Sequence, residues 1–190
     1  MAHEAARGLL TARLREREAA AEYVIKRIQP GGIEAALGKA DKYRELNQPA
    51  EAESIARDVL AVDPEQQLAL RILGLALTDQ FGPSTSARFA EAQQVFGRLR
   101  DPYERAFYGG LAFERQAKAQ LEAGIPIASV RPLFDQALTR YAEAETLRPA
   151  GNDDPILRWN SCVRTLQAIE GVGAPEDQID WEADFVPRHR

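Results

Sequence analysis

Apolar side chains recur every three or four residues along most of this chain, the spacing of one face of an α-helix. Proline and glycine cluster between these runs, and β-branched residues rarely alternate with polar ones. The pattern predicts an all-α fold. The predicted helices span residues 5–28, 33–46, 50–62, 66–80, 86–99, 103–122 and 129–147, and a last one runs from the Asp153-Asp154-Pro155 run to about residue 169.

The helices divide the chain into three parts. Residues 1–29 are predicted to form a charged N-terminal helix that the Pro30-Gly31-Gly32 run ends, and it is interpreted as a solvated capping helix or as an oligomerisation helix. Residues 33–169 hold paired helices. Residues 170–190 form an acidic tail with aromatic side chains. At the start of the last helix, Asp153 and Asp154 are interpreted as a helix cap, with a divalent-ion site as the alternative.

The paired helices repeat small residues at fixed intervals. Ala40 and Gly74 are 34 residues apart, and Gly74 and Gly110 are 36 apart. The same units continue with Tyr43, Ala52, Ala56 and Pro64, with Leu77, Ala92, Phe96 and Pro102, and with Phe113, Ala137, Tyr141 and Pro149. A small residue at a helix crossing lets two helices approach to within about 8 to 10 Å.

This spacing resembles the tetratricopeptide repeat, in which W-x2-L-G-x2-Y is followed by A-x3-F and P over a period of 34 residues. The resemblance covers residues 33–169 and implies a right-handed superhelical array of antiparallel helix pairs, a TPR-like α-solenoid. About three pairs are expected, together with an N-terminal and a C-terminal helix. Gly110 and Val163 are 53 residues apart, so the third unit departs from the period. Trp159, Cys162, Val163 and Leu166 repeat the first-helix pattern without a recognisable partner helix.

The resemblance implies that the first helices of the pairs line a concave face that binds a partner. Family members that grip a terminal carboxylate use lysine and asparagine where this chain has Leu37 and Asp41, so that clamp is not expected. The candidate groove combines apolar and basic residues, which favours an amphipathic helix or an extended segment bearing aromatics and acids. The alternative is that Leu75, Phe107 and Leu111 pack only against neighbouring helices. The candidate residues are Leu37, Asp41, Arg44, Arg71, Leu75, Thr78, Phe107, Leu111, Glu114, Asn160 and Arg164.

The C-terminal tail offers a candidate ligand for this groove. Its stretch from Ile179 to Phe185 sets Trp181 and Phe185 among acidic residues, after a glycine-rich hinge. One hypothesis is that it occupies this groove or that of a neighbouring subunit, as an autoinhibitory plug or an assembly link. The alternatives are a strap on the last helix, or no fixed structure.

Composition narrows the classes of function. A net charge of -5 and a pI near 5.2 disfavour nucleic-acid binding. Apolar runs are too short to span a membrane, and the single cysteine agrees with a reducing, cytoplasmic location. His3 and His189 lie near the chain ends, and Cys162 is expected to be buried. Since the sequence contains no phosphate-loop, dinucleotide-binding, zinc-protease or EF-hand motif, we expect no cofactor, no metal and no enzymatic activity.

These observations predict a non-catalytic scaffold or adaptor that binds a protein or peptide. A self-assembling protein joined through its N-terminal helix or its tail is the alternative, so a homo-oligomer remains open. An enzyme that uses a pair of carboxylates is the third interpretation.

Overall fold

The structure, a computed structural model, describes residues 23–82 and 86–171. Its regular structure over these ranges is entirely helical, which confirms the predicted all-α class. After a single 3-10 turn at Pro30–Gly32, the helices are α1 (Ile33–Glu45), α2 (Pro49–Val62), α3 (Gln67–Thr78), α4 (Ser86–Gly97), α5 (Pro102–Glu122), α6 (Ile127–Leu147) and α7 (Asp154–Glu170).

The residues before the 3-10 turn depart from the prediction. Residues 23–29 have no regular secondary structure, so the predicted N-terminal helix is wrong over its last six residues. Gln29 is extended, as the residue before a proline prefers to be, and Tyr23 is 88% exposed. Arg27 donates instead to the carbonyl oxygen of Ala61 at 2.5 Å, which ties this segment to the end of α2. The rest of the predicted helix, residues 5–22, lies outside the described residues.

The ends of α5 and α7 follow local capping chemistry, with one correction. Pro102 opens α5, and the side chain of Asp101 accepts a hydrogen bond from the Tyr103 N–H. At α7 the N-cap residue is an aspartate, Asp153, as predicted, but its side chain makes no capping hydrogen bond. Asn152 Oδ1 instead accepts from the Asp154 N–H at 3.0 Å. Asp153 instead pairs with Arg148 at 3.0 Å.

Each helix packs against the next one along the chain. In addition, α1 contacts α3, α3 contacts α5 and α5 contacts α7, so the first helices of successive pairs are neighbours. One buried apolar cluster is drawn mainly from α1 to α4 and a second from α5 to α7. Among residues 23–82 and 86–171, no helix combines the length and the apolar composition that crossing a bilayer requires.

Two helix pairs cross at a glycine. A Cβ atom on Gly74 would lie 2.6 Å from Cζ of Phe96 in α4, and one on Gly110 would lie 2.9 Å from Cε1 of Tyr141 in α6. The prediction that small residues mark helix crossings is therefore confirmed at both positions. Ala40, the matching residue of α1, is completely buried.

Candidate binding groove

A cavity of about 500 Å³ lies across the first helices of the pairs. We call it the first-helix groove. Because α1, α3, α5 and α7 contact one another in turn, residues far apart in the sequence meet there. Its lining consists of Arg44 from α1, Leu75 from α3, Phe107, Tyr108, Leu111 and Arg115 from α5, and Asp154, Leu157, Arg158 and Ser161 from α7.

The apolar part of the groove has a buried floor and one solvent-exposed side. Phe107 and Leu111 are buried, and the Phe107 ring packs edge-on against Tyr108 with centroids 5.2 Å apart. Leu157 on α7 is 63% exposed. An exposed leucine beside a buried aromatic floor is an apolar surface that a partner side chain can cover.

Two of the three arginines in the lining share one carboxylate. Asp79, just after α3, accepts from Nε of Arg44 at 2.8 Å and from Nη1 of Arg115. The same nitrogen of Arg115 donates to Oγ1 of Thr78 at 2.5 Å. Asp79 thus links α1 and α5 through α3 and holds both guanidinium groups at the groove.

The third arginine lies above a buried carboxylate. Arg158 on α7 has a side chain 44% exposed, and its Nη1 is 3.7 Å from Oε1 of Glu114. Glu114 is 1% exposed and accepts from Nζ of Lys118 and from the Tyr141 hydroxyl, both at 2.6 Å. Burial together with the Glu114 carboxylate raises the pKa of Tyr141 far above its usual value, and the same two causes raise the pKa of Cys162 to about 12.

The charges that line the groove are mostly positive. Among the described residues, Arg44, Arg115 and Arg158 line it directly, against the single carboxylate of Asp154. Asp79 and Glu114 compensate the arginines from outside the lining, and Glu114 is shielded from solvent. Acidic groups on a ligand would therefore meet guanidinium groups first.

Only some of the predicted groove residues line the groove in the structure. Those that line the groove are Arg44, Leu75, Phe107 and Leu111. The expectation that the predicted residues lie off the packed surface is wrong for Phe107 and Leu111, which are buried although they contribute to the lining. It is also wrong for three residues that are buried among the helices outside the lining: Leu37, Thr78 and Glu114.

The remaining predicted residues lie away from the groove lining. Arg71 pairs with Glu104 at 2.8 Å, so its charge is directed to a neighbouring helix. Asp41 and Arg164 are exposed, and Asn160 is half-buried. Trp181 and Phe185 lie outside the described residues.

Sequence reasoning missed six lining residues: Tyr108, Arg115, Asp154, Leu157, Arg158 and Ser161. One of them carried a usable signal, because Phe107, Leu111 and Arg115 follow one another at intervals of four, which places them on one helix face. The α7 residues Asp154, Leu157, Arg158 and Ser161 also share one helix face, but this spacing did not distinguish that face from the one bearing Asn160 and Arg164. Their contribution depends on how α7 rotates against α5 and α6, which helical spacing alone does not specify.

Comparison with known proteins does not assign the chain to a family. No protein-family model matches the sequence, and no curated protein matches it significantly.

Proposed function

We propose that this chain is a non-catalytic scaffold that binds an acidic segment of a partner protein, with aromatic or aliphatic side chains, in the first-helix groove. One observation carries the proposal: an aromatic and aliphatic floor bordered by three arginines and assembled from four helices. Apolar side chains of the segment would cover Leu75 and Leu157, while its carboxylates would pair with the guanidinium groups.

The groove suits a segment rather than a large flat surface. Its volume of about 500 Å³ falls within the range of ordinary ligand pockets, which accommodate a few side chains. Because only a few side chains would bind, we expect a Kd in the micromolar range, which corresponds to a binding free energy on the order of -8 kcal/mol.

We also infer that the helix pairs form a TPR-like superhelical array. The supporting observations are the intervals of 34 and 36 residues between Ala40, Gly74 and Gly110, and the packing of Phe96 and Tyr141 over the two glycines. In such an array the groove would lie on the concave face, where the first helices are neighbours.

A second candidate function, self-assembly, is favoured by a different surface. Tyr23, Val24 and Ile25 are consecutive, and each is at least 78% exposed. Exposed apolar patches are typical of contact sites between proteins. Light scattering over a range of concentrations tests this candidate, since a mass that stays monomeric at every concentration would exclude it.

Peptide selection tests the proposed function. A displayed library of random twelve-residue peptides would be selected on the unaltered full chain and, in parallel, on the Leu157→Asp variant. This substitution places a carboxylate at the exposed leucine of the groove. We expect the full chain to enrich peptides that combine acids with aromatic or aliphatic residues, and the variant to lose them. Equal enrichment on both proteins, or enrichment of basic peptides, would reject the groove as the binding site.

A further inference from the structure

Helix α7 has the features of a first helix but lacks a second helix among the described residues. It packs mainly against α6 and makes a few contacts with α5. Pro155, Cys162 and Leu166 form its buried side. In each earlier unit, by contrast, a second helix follows and packs on the first.

The flank of α7 where a second helix would lie is apolar and open. Ile156, Trp159 and Val163 are spaced by three and four residues, so they share one side of the helix. Trp159 is 36% exposed, while Ile156 and Val163 are half-buried and lie outside both apolar clusters. We call these three residues the α7 flank.

Val163 lies at a position that is buried in the earlier units, and here no second helix covers it among the described residues. It aligns with Ala40, Gly74 and Gly110, the first-helix positions that are buried in the earlier units. Phe96 covers Gly74 and Tyr141 covers Gly110. At the α7 flank, no described residue provides the equivalent cover.

The second helices share a spacing of buried residues. In each unit, residues at i, i+4 and i+7 are buried: Ala52, Ala56 and Val59 in the first, Ala92, Phe96 and Leu99 in the second, where Leu99 lies just past the end of α4, and Ala137, Tyr141 and Ala144 in the third. The first of these residues follows the end of the first helix by 7 positions in the first unit, by 14 in the second and by 15 in the third.

The sequence after α7 repeats this spacing. Ile179, Ala183 and Val186 stand at i, i+4 and i+7, and Ile179 follows Glu170 by nine positions. Gly171, with a φ of 67°, ends α7 in the left-handed conformation that glycine adopts readily. Pro175 and two acids precede the apolar residues, much as Pro49 and Glu51 open α2.

We propose that residues 175–186 pack on the α7 flank, with Ile179, Ala183 and Val186 covering Ile156, Trp159 and Val163, in the position that second helices take in the earlier units. This inference is independent of the proposed function, because it concerns a different side of α7 from the groove. It leaves the groove free for a partner, whereas a tail bound in the groove would block it.

Fluorescence of Trp159 tests the proposal. The chain has two tryptophans, so Trp181→Phe in the full chain and truncation after Gly171 each leave Trp159 as the single reporter. We expect acrylamide to quench Trp159 less in the Trp181→Phe chain than in the truncated chain. Since even a covered tryptophan is rarely fully buried, the expected difference in the quenching constant is about twofold.

A matched pair of variants keeps the test valid should the truncated chain fail to fold. In the Trp181→Phe background, Ala183→Glu adds a carboxylate to the apolar stripe, whereas Gln178→Glu adds one beside it. Quenching should increase with Ala183→Glu and stay unchanged with Gln178→Glu. Equal quenching of Trp159 in all variants would overturn the proposal. Protection of Trp159 that depends on protein concentration would also overturn it, because a second copy of the chain would then cover the α7 flank.

Discussion

At Gly110 the backbone of α5 comes so close to α6 that no side chain fits. An added Cβ would lie 2.9 Å from Cε1 of Tyr141 and 3.1 Å from Cβ of Arg140. We expect Gly110→Ala to lower the free energy of unfolding by about 1 to 3 kcal/mol, since buried rings and helix backbones yield little space. Urea denaturation measures the change.

The neighbouring glycine provides the control. A Cβ on Gly109 would have its nearest contact, Gln93 Oε1, at 4.0 Å. Because alanine is the better residue in a helix interior, Gly109→Ala should stabilise the protein by about 0.5 to 1 kcal/mol. Equal effects of the two substitutions would contradict the helix register described here.

The raised pKa of the Cys162 thiol determines how the free energy of unfolding should change in alkaline solution. Burial and the Glu114 carboxylate raise the pKa of its thiol to about 12 from an ordinary value near 9. The folded state therefore holds this proton more tightly than the unfolded state does. The resulting stabilisation is complete below about pH 9 and is lost as the pH rises from 9 to 12.

Urea denaturation at a series of pH values checks this prediction. Between pH 9 and 11, the free energy of unfolding should fall less steeply in Cys162→Ala than in the unaltered chain. The cavity left by alanine lowers the stability at every pH, so the slope is the relevant quantity. Parallel slopes would contradict the assigned environment of the thiol.

The sequence predicted the positions of some single residues correctly and of others wrongly. The burial of Cys162 and the role of Gly110 followed from spacing alone, because both belong to a periodic apolar pattern. Glu114 and Thr78 were misplaced on the groove surface. Their burial depends on partners far along the chain, Tyr141 for the carboxylate and Arg115 for the hydroxyl, which local spacing does not reveal.

At the scale of helices, Asp79 connects three elements. Its carboxylate accepts from Arg44 in α1 and Arg115 in α5. Asp79→Asn should lower the free energy of unfolding by about 1 kcal/mol, because these pairs are partly exposed. It should also strengthen the binding of an acidic peptide, since both guanidinium groups would lose their compensating charge.

Urea denaturation and peptide titration measure these two opposite changes, and Asp41→Asn is the control. Asp41 is 59% exposed and 4.0 Å from Arg44, so its replacement should change the free energy of unfolding by less than about 0.5 kcal/mol. Weaker peptide binding to Asp79→Asn would contradict this prediction and would indicate that Asp79 acts mainly by positioning the two arginines.

The helices themselves were largely predictable. Proline, glycine and apolar periodicity located α1 to α7 to within a few residues, because local signals start and stop helices. The segment before Pro30 was not predictable in this way. Its alanines and charged residues favour a helix, yet at 23–29 the extended conformation of Gln29 and the bond from Arg27 to Ala61 prevail.

At the scale of the whole molecule, the groove exists because four first helices are neighbours. No single pair contains it, so its lining depends on the stacking of successive pairs. The sequence predicted which helices would face the groove and part of its apolar floor. It did not predict Arg158, the basic residue that α7 contributes to the lining, since the orientation of that helix is set by packing against α5 and α6.

Two arginines on α7 distinguish whether the first-helix groove is the site that binds the acidic peptide. Arg158 lines the groove, and Arg164 is exposed on the same helix outside the lining. Isothermal titration would measure the Kd of the best selected acidic peptide for the unaltered chain, for Arg158→Glu and for Arg164→Glu. We expect Arg158→Glu to weaken binding by about tenfold or more, since an attractive charge pair becomes a repulsion, while Arg164→Glu should change the Kd by less than about twofold. Equal Kd values for the two variants would contradict this prediction.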